Sequence, residues 1–400
     1  MGIYQELLIK KIYLMIILFL KRVKKMKKIL IIYPYLTQNV IDILKEFDKQ
    51  AGDYLIMAIL PLKSTKLIYS EPNKLPSFKN LVLKRAHFIN LGFNLNPFLN
   101  PFIFFLYLLK FKPSIVIVLD EAISINTFFA AIFSKFFKFK TIFYAFENIN
   151  KIRRFIILKK IIFQIIKKTV NYGVVCTEEA AKILNEVNWY PKVKVIWWGV
   201  NTELFGKEID EQEKILIKNN LGISKNQKVI AYVGRFIEEK GIKDLVEAFK
   251  LINNEAVLIF IGDGPLESYL NKIKENLKEK LIILKPHKTE DLVKLYQIFD
   301  VLVLPSKTTP RWKEQYGRVL IEAMAAGVSV VGSNSGAIPV VIGNVGSIFS
   351  EGNIKDLAKA IDYELTNRTE TKIKLLKERA QNGSINNFVK NFLEFIKDIE

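Results

Sequence analysis

From Met26 to the C-terminus the chain alternates short apolar runs, bounded by turn residues, with longer stretches of helical periodicity. That alternation constrains the fold more than any other feature, because it is the layout of βαβ units and parallel sheets. Five runs, Ile29–Tyr33, Tyr54–Ile59, Ile115–Leu119, Thr141–Ala145 and Gly173–Cys176, predict the strands of one Rossmann-like domain. Lys228–Val233, Ala256–Ile261, Leu281–Leu284, Val301–Leu304, Ser329–Val331 and Gly346–Phe349 predict those of a second. A turn-rich stretch from Asn220 to Gln227 precedes the second series, and a helical pattern over Ile385–Ile399 ends the chain. The expectation is an α/β protein of two domains facing a cleft. Its parts are an upstream extension or interfacial anchor over 1–25, a first domain over 26–200, a second over 201–384 and a terminal helix over 385–400. With 50% hydrophobic and 25% charged residues, 400 residues supply enough apolar material for both cores.

Composition excludes several kinds of chemistry. One cysteine, Cys176, rules out an intramolecular disulfide framework, and two histidines, His87 and His287, rule out a histidine-rich metal centre. The net charge of +20 sits almost wholly in residues 1–200, which hold 31 Lys+Arg against 12 Asp+Glu. No nucleic-acid-binding motif accompanies these lysines, which alternate with Ile, Leu and Phe runs, so nucleic acid is not an expected partner. An anionic membrane surface is. The segment Lys151 to Lys168 has the composition of an interfacial amphipathic helix, although a core-packing helix with a lysine-rich solvent face reads the same way. Leu7 to Leu20 is apolar but interrupted by Lys10 and Lys11, and as a helix it reaches only about 21 Å against a hydrocarbon core of about 30 Å. It is not read as a span, and the expected location is cytoplasmic, peripheral to the membrane.

Residues Glu314 to Glu322 read E-Q-Y-G-R-V-L-I-E. A helix starting near Gly317 leaves Glu314 on the preceding loop and Glu322 about a turn and a half inside. Two carboxylates so placed can meet different parts of one extended polar ligand, with the backbone N–H groups of the helix start between them to receive phosphate. A capped surface helix with two solvated glutamates has the same spacing. The surrounding residues decide for the ligand.

Leu304-Pro305-Ser306 before this run, and Val330-Val331-Gly332-Ser333 and Ser335-Gly336-Ala337-Ile338-Pro339 after it, complete a pattern that resembles the signature of glycosyltransferase family 4. These are retaining, sugar-nucleotide-dependent transferases of the GT-B fold. Tyr232-Val233-Gly234-Arg235-Phe236 with Glu239-Lys240-Gly241 resembles the family's phosphate-binding loop, and Ile261-Gly262-Asp263-Gly264-Pro265 its next strand-to-helix turn. The likeness covers roughly residues 170 to 350.

The resemblance implies a hexosyl transfer from a UDP- or GDP-sugar to a lipid-linked or cell-surface glycan, with no cofactor beyond the donor itself. It assigns Arg235 and Lys240 to the diphosphate, Glu314 to the donor sugar, Glu322 to the ribose, and Gly262 and the backbone of Tyr316, Gly317 and Arg318 to sugar or phosphate. It also implies a terminal helix that crosses back onto the first domain. No Asp-x-Asp motif is present, so the transfer is expected to be metal-independent. The chain departs from the family in its first domain: the loop Tyr33 to Gln38 has no glycine, and Glu147 stands where many members carry histidine. Glu147 is read either as orienting acceptor or sugar, or as a cap for the basic helix that follows. Alternatives are another GT-B activity, such as a sugar-nucleotide epimerase or a phosphorylase, or a catalytically silent membrane-binding subunit.

Overall fold

The computed structural model describes residues 26–63, 75–92, 96–149, 157–170, 172–186, 189, 192–252 and 255–400. The extension over 1–25 and the stretch from Lys151 to Phe155 lie outside the described residues.

The first sheet contains β1 (Lys27–Ile32), β2 (Tyr54–Pro61), β3 (Leu81–Ala86), β6 (Ile115–Val118), β7 (Lys140–Ala145), β8 (Tyr172–Val175) and β9 (Lys192–Val195), with β4 (Phe88–Ile89) and β5 (Phe98–Leu99) forming a separate two-stranded pair. All seven strands are parallel, in the order β3-β2-β1-β6-β7-β8-β9. The second sheet contains β10 (Lys228–Val233), β11 (Ala256–Ile261), β12 (Leu281–Leu284), β13 (Val301–Leu304), β14 (Ser329–Ser333) and β15 (Ser347–Phe349), in the order β12-β11-β10-β13-β14-β15. The apolar runs of the sequence mark all six strands of this second series to within two residues. It missed β3, β4, β5 and β9. β3 and β9 are sheet edges whose alternating exposed residues include Lys84, Lys192 and Lys194, so they lack the continuous apolar run that marks a central strand.

Each sheet is covered on both faces. Along β1, Ile29 and Ile31 pack with Val40, Ile43, Leu44 and Phe47 of the Gln38–Gln50 helix, whereas Leu30 and Ile32 pack with Phe104, Leu108 and Phe111 of the Pro101–Phe111 helix. Successive side chains of a strand point to opposite faces, so a wholly apolar strand requires these two layers.

The terminal helix, Ile385–Ile399, crosses back onto the first domain. Phe388 and Phe392 meet Phe47 and Tyr144 through ring contacts of 5.6–6.4 Å, and Glu400 takes Lys27 and the Tyr54 hydroxyl. The two chain segments that pass between the sheets run side by side, Val200 donating its N–H to the Gly383 carbonyl (2.8 Å) and Ile385 donating to that of Val200 (3.0 Å). Trp198, next to this crossing, packs against Tyr33, Tyr144, Phe146 and Phe388.

Phe392 is fully buried in this contact. Its replacement by alanine is expected to destabilise the protein by about 3–5 kcal/mol, read as a lowered unfolding midpoint in a thermal or urea melt. A loss under about 1 kcal/mol would mean that the terminal helix is not part of the first domain's core.

Candidate functional site

In both sheets the strand order reverses once, between β1 and β6 and between β10 and β13. Loops leaving neighbouring strands at such a point diverge to opposite faces and open a crevice at the strands' C-terminal ends. Here the two crevices face each other. Residues from both crevices line one cavity of about 230 Å³: Thr37, Asn39 and Asp42 from the first domain, and Arg235, Gly262, His287, Arg318 and Glu322 from the second.

Arg235 follows β10 directly, on a loop whose turn is held by the Tyr232 hydroxyl donating to the Arg235 carbonyl (2.8 Å). Gly262, after β11, has φ 153°, and a Cβ there would stand 1.9 Å from the Gly234 carbonyl oxygen. No other residue lets the two loops approach this closely. Lys240 ends a 3-10 turn, Glu238–Lys240, and does not face that cavity. Its Nζ lies 2.6 Å from Glu314 Oε2 and 5.1 Å from the centre of the Trp312 ring. Ser306, just beyond β13, donates its hydroxyl to the same carboxylate oxygen at 2.7 Å.

The signature helix is Arg318–Ala325, capped by Gly317 with φ 75° and ψ 47°, a left-handed turn that glycine adopts without strain. Glu322 lies inside it, buried, its Oε1 paired with Arg318 Nε (2.9 Å) and its Oε2 accepting from the Tyr296 hydroxyl (2.9 Å). Burial and the adjacent carboxylate raise the Tyr296 phenol well above its ordinary value, so it acts as a neutral donor. Tyr316 has its side chain turned away from the cavity: the ring is buried and its hydroxyl donates to the Trp198 carbonyl (2.8 Å), tying the signature to the crossing between domains. Arg235, Gly262, Arg318 and Glu322 therefore share one cavity, and Lys240 and Glu314 form a pair outside its lining.

Glu147 follows β7, within a polar group that sequence reasoning did not assemble. Glu121, after β6, accepts the backbone N–H groups of Phe146 and Glu147, each at 3.2 Å. Burial, reinforced by the nearby Glu147 and Asp120 carboxylates, pushes the Glu121 carboxyl up to about 8. The next residue, Asn148, is 1% exposed and reaches across the cleft, donating to the Glu314 carbonyl (2.8 Å) and to Glu179 (3.2 Å), which also pairs with Lys313. Asn201 donating to Asp42 (3.0 Å) adds a further polar link between the domains. The acidic pair at the end of the predicted third strand was a legible signal for Glu121. His287, to which the sequence assigned no role, also lines the cavity. Among the described residues no group of three or more His, Cys, Asp or Glu side chains is placed to hold a metal ion.

Two facing parallel-sheet domains closed by a returning helix are the GT-B fold. A crystal structure of a glycosyltransferase from Rickettsia africae aligns over 94% of this chain and 99% of its own, with a TM-score of 0.71 at 22% identity. An Anabaena protein, HepE, crystallised with UDP and glucose, aligns over 93% of this chain and 100% of its own, with a TM-score of 0.67 at 15% identity. Residues 213–384 match the family model of glycosyl transferases group 1. A glycosyltransferase of Methanocaldococcus jannaschii is 35% identical over 169 residues, which is 41% of this chain and 42% of that protein.

The Glu121 carboxyl makes stability depend on pH. Its folded value near 8 exceeds the ordinary 4.5, so between those limits the folded chain keeps a proton that the unfolded chain releases. Stability from this group is complete below about pH 4.5, falls as pH rises and levels off above about 8. Measured by urea unfolding, the difference between parent and Glu121→Gln should therefore move in the variant's favour across that window. A difference that stays constant would show Glu121 titrating normally.

Proposed function

We propose that the protein is a retaining glycosyltransferase that moves a hexosyl group from a UDP- or GDP-sugar to a lipid-linked or cell-surface glycan. It would work at the cytoplasmic face of the membrane, peripherally bound and without a metal ion. The observation that carries the reading is the shared cavity, in which Arg235, Gly262 and the start of the Arg318–Ala325 helix converge opposite the first domain's Thr37 and Asn39. UDP bound to the HepE fold supports a nucleotide diphosphate as the occupant.

In this reading the diphosphate lies against Arg235 and the helix start, where a bidentate guanidinium and unpaired N–H groups receive its oxygens. The ribose hydroxyls go to Glu322, and the half-exposed Arg318 turns aside to admit them. The sugar extends toward Glu314, which Lys240 and Ser306 hold in place. From outside the cavity lining, Lys240 fixes the carboxylate and adds a longer-range positive field toward the phosphate. The acceptor enters from the first domain, near Glu147. Its hydroxyl oxygen bonds to the anomeric carbon as the carbon–oxygen bond to the phosphate breaks, and the departing phosphate takes the hydroxyl proton on the same face. Charge building on that phosphate is met by fixed cations, in place of a divalent ion.

The assignment of the cations predicts that Arg235→Ala and Lys240→Ala each lower turnover by about 10² to 10³, because they act on charge that develops in the transition state. Activity should also persist in excess EDTA. Near-normal turnover in both variants, or metal-reversible inactivation of the parent, would overturn it.

The two glutamates are separable by ligand. Glu322→Ala should weaken binding of the free nucleoside diphosphate and of the sugar nucleotide alike, whereas Glu314→Ala should weaken only the latter, each by roughly 1.5–3 kcal/mol for a lost charged hydrogen bond. Calorimetry with both ligands reads the contrast, and equal losses for both variants would refute it.

A further inference from the structure

The Pro101–Phe111 helix, P-F-I-F-F-L-Y-L-L-K-F, carries apolar residues on every side. Phe104, Leu108 and Phe111 are buried against Leu30, Ile32, Val116 and Val118, which satisfies the packing of the sheet. The opposite face is as apolar and is uncovered among the described residues: Phe102 is 68% exposed and Leu109 45%, with Phe105 and Leu106 between them. The adjacent Ile125–Phe137 helix meets it through the Phe105–Phe137 and Phe105–Phe133 ring contacts and adds Phe136, 76% exposed. Ile161 on the neighbouring Ile157–Thr169 helix extends the surface. A single exposed Phe needs no explanation, but a row at i, i+3, i+4 and i+7, continued on the next helix, marks a covered surface.

Charge indicates what covers it. Lys110, Lys112, Lys135 and Lys138 are exposed around the two helices, and Lys167 and Lys168 end the third. Residues 87–119 and 122–146 contain no Asp or Glu, nor does Ile157–Thr169. A second copy of the chain would set these lysines against each other. An anionic bilayer accepts both parts, its phosphates receiving the lysines and its acyl boundary the aromatic rings. Eleven residues of helix reach about 16 Å, too short for a hydrocarbon core of about 30 Å, so the helix lies in the interface plane.

We propose that the outward faces of the Pro101–Phe111 and Ile125–Phe137 helices form a docking surface for an anionic bilayer, with Phe102, Leu106, Leu109 and Phe136 entering the headgroup–acyl boundary. This inference rests on the membrane-associated reading above and gives insertion to an element other than the basic Lys151 to Lys168 segment. The test is sedimentation of the full chain with vesicles of phosphatidylcholine, alone or mixed with phosphatidylglycerol. The triple variant F102S/L109S/F136S should bind the mixed vesicles about a hundredfold more weakly than the parent. Its unfolding midpoint and its hydrolysis of UDP- and GDP-sugars in vesicle-free buffer should stay at parent level. The triple variant K110E/K135E/K138E should bind mixed vesicles no better than the parent binds neutral ones. Undiminished vesicle binding by the serine variant overturns the proposal. So does a parent that ignores vesicles and instead forms dimers that the serine variant abolishes. A parent that binds vesicles through these residues yet hydrolyses no sugar nucleotide would refute the transferase reading and leave the docking surface standing.

Discussion

Every feature of the cleft depends on the place where the chain crosses between its domains twice at one point. Val200 and the segment Gly383–Ile385 exchange backbone hydrogen bonds there, so the outgoing and returning strands behave as one short parallel pair. The Trp198 side chain is buried beside it among Tyr33, Tyr144, Phe146 and Phe388, and its carbonyl receives the Tyr316 hydroxyl. Tyr316 belongs to the signature, Phe388 to the returning helix, and Tyr33 and Tyr144 to the first sheet and its loop. The position of the second domain's functional loops relative to the first domain is therefore set by apolar packing around a single indole.

Both signature carboxylates are nearly removed from water, a condition that is costly unless each is paired and hydrogen-bonded. Glu314 has an ammonium and a hydroxyl on one oxygen, and Glu322 has a guanidinium on one oxygen and a phenol on the other. The partners differ in mobility. Lys240 is mostly buried and stacked over Trp312, while Arg318 is half exposed. One carboxylate is thus fixed in advance, and the other is held by a cation that can be displaced into solvent.

The second domain was legible because its strands are mostly apolar and separated by glycine-bounded turns, and because Arg235, Gly262 and Gly317 stand at strand ends or at a helix start and Glu322 at a fixed spacing within that helix, where spacing carries geometry. The first domain was less so. β3 and β9 are edge strands with lysines on their exposed positions, and the Thr37, Asn39 and Asp42 side chains reach the cavity only because the Gln38–Gln50 helix begins at the crevice. Asn148 offered no pattern at all. Its partner lies 166 positions away, and no local rule connects an asparagine to a carbonyl in another domain. Tyr316 shows the converse: its position in the signature was recognised, but the destination of its side chain depends on the Trp198 carbonyl and could not be read from neighbours in sequence.

Asn148 grips the carbonyl of residue 314 and leaves its carboxylate alone. A backbone oxygen is present whatever side chain the position bears, and it neither titrates nor changes length. The contact that brings the first domain against this loop is thereby independent of the side chain at that position. Substitution at 314 leaves this backbone grip in place, so in the donor-sugar role proposed for Glu314, ligand preference and domain closure are free to diverge separately along a lineage.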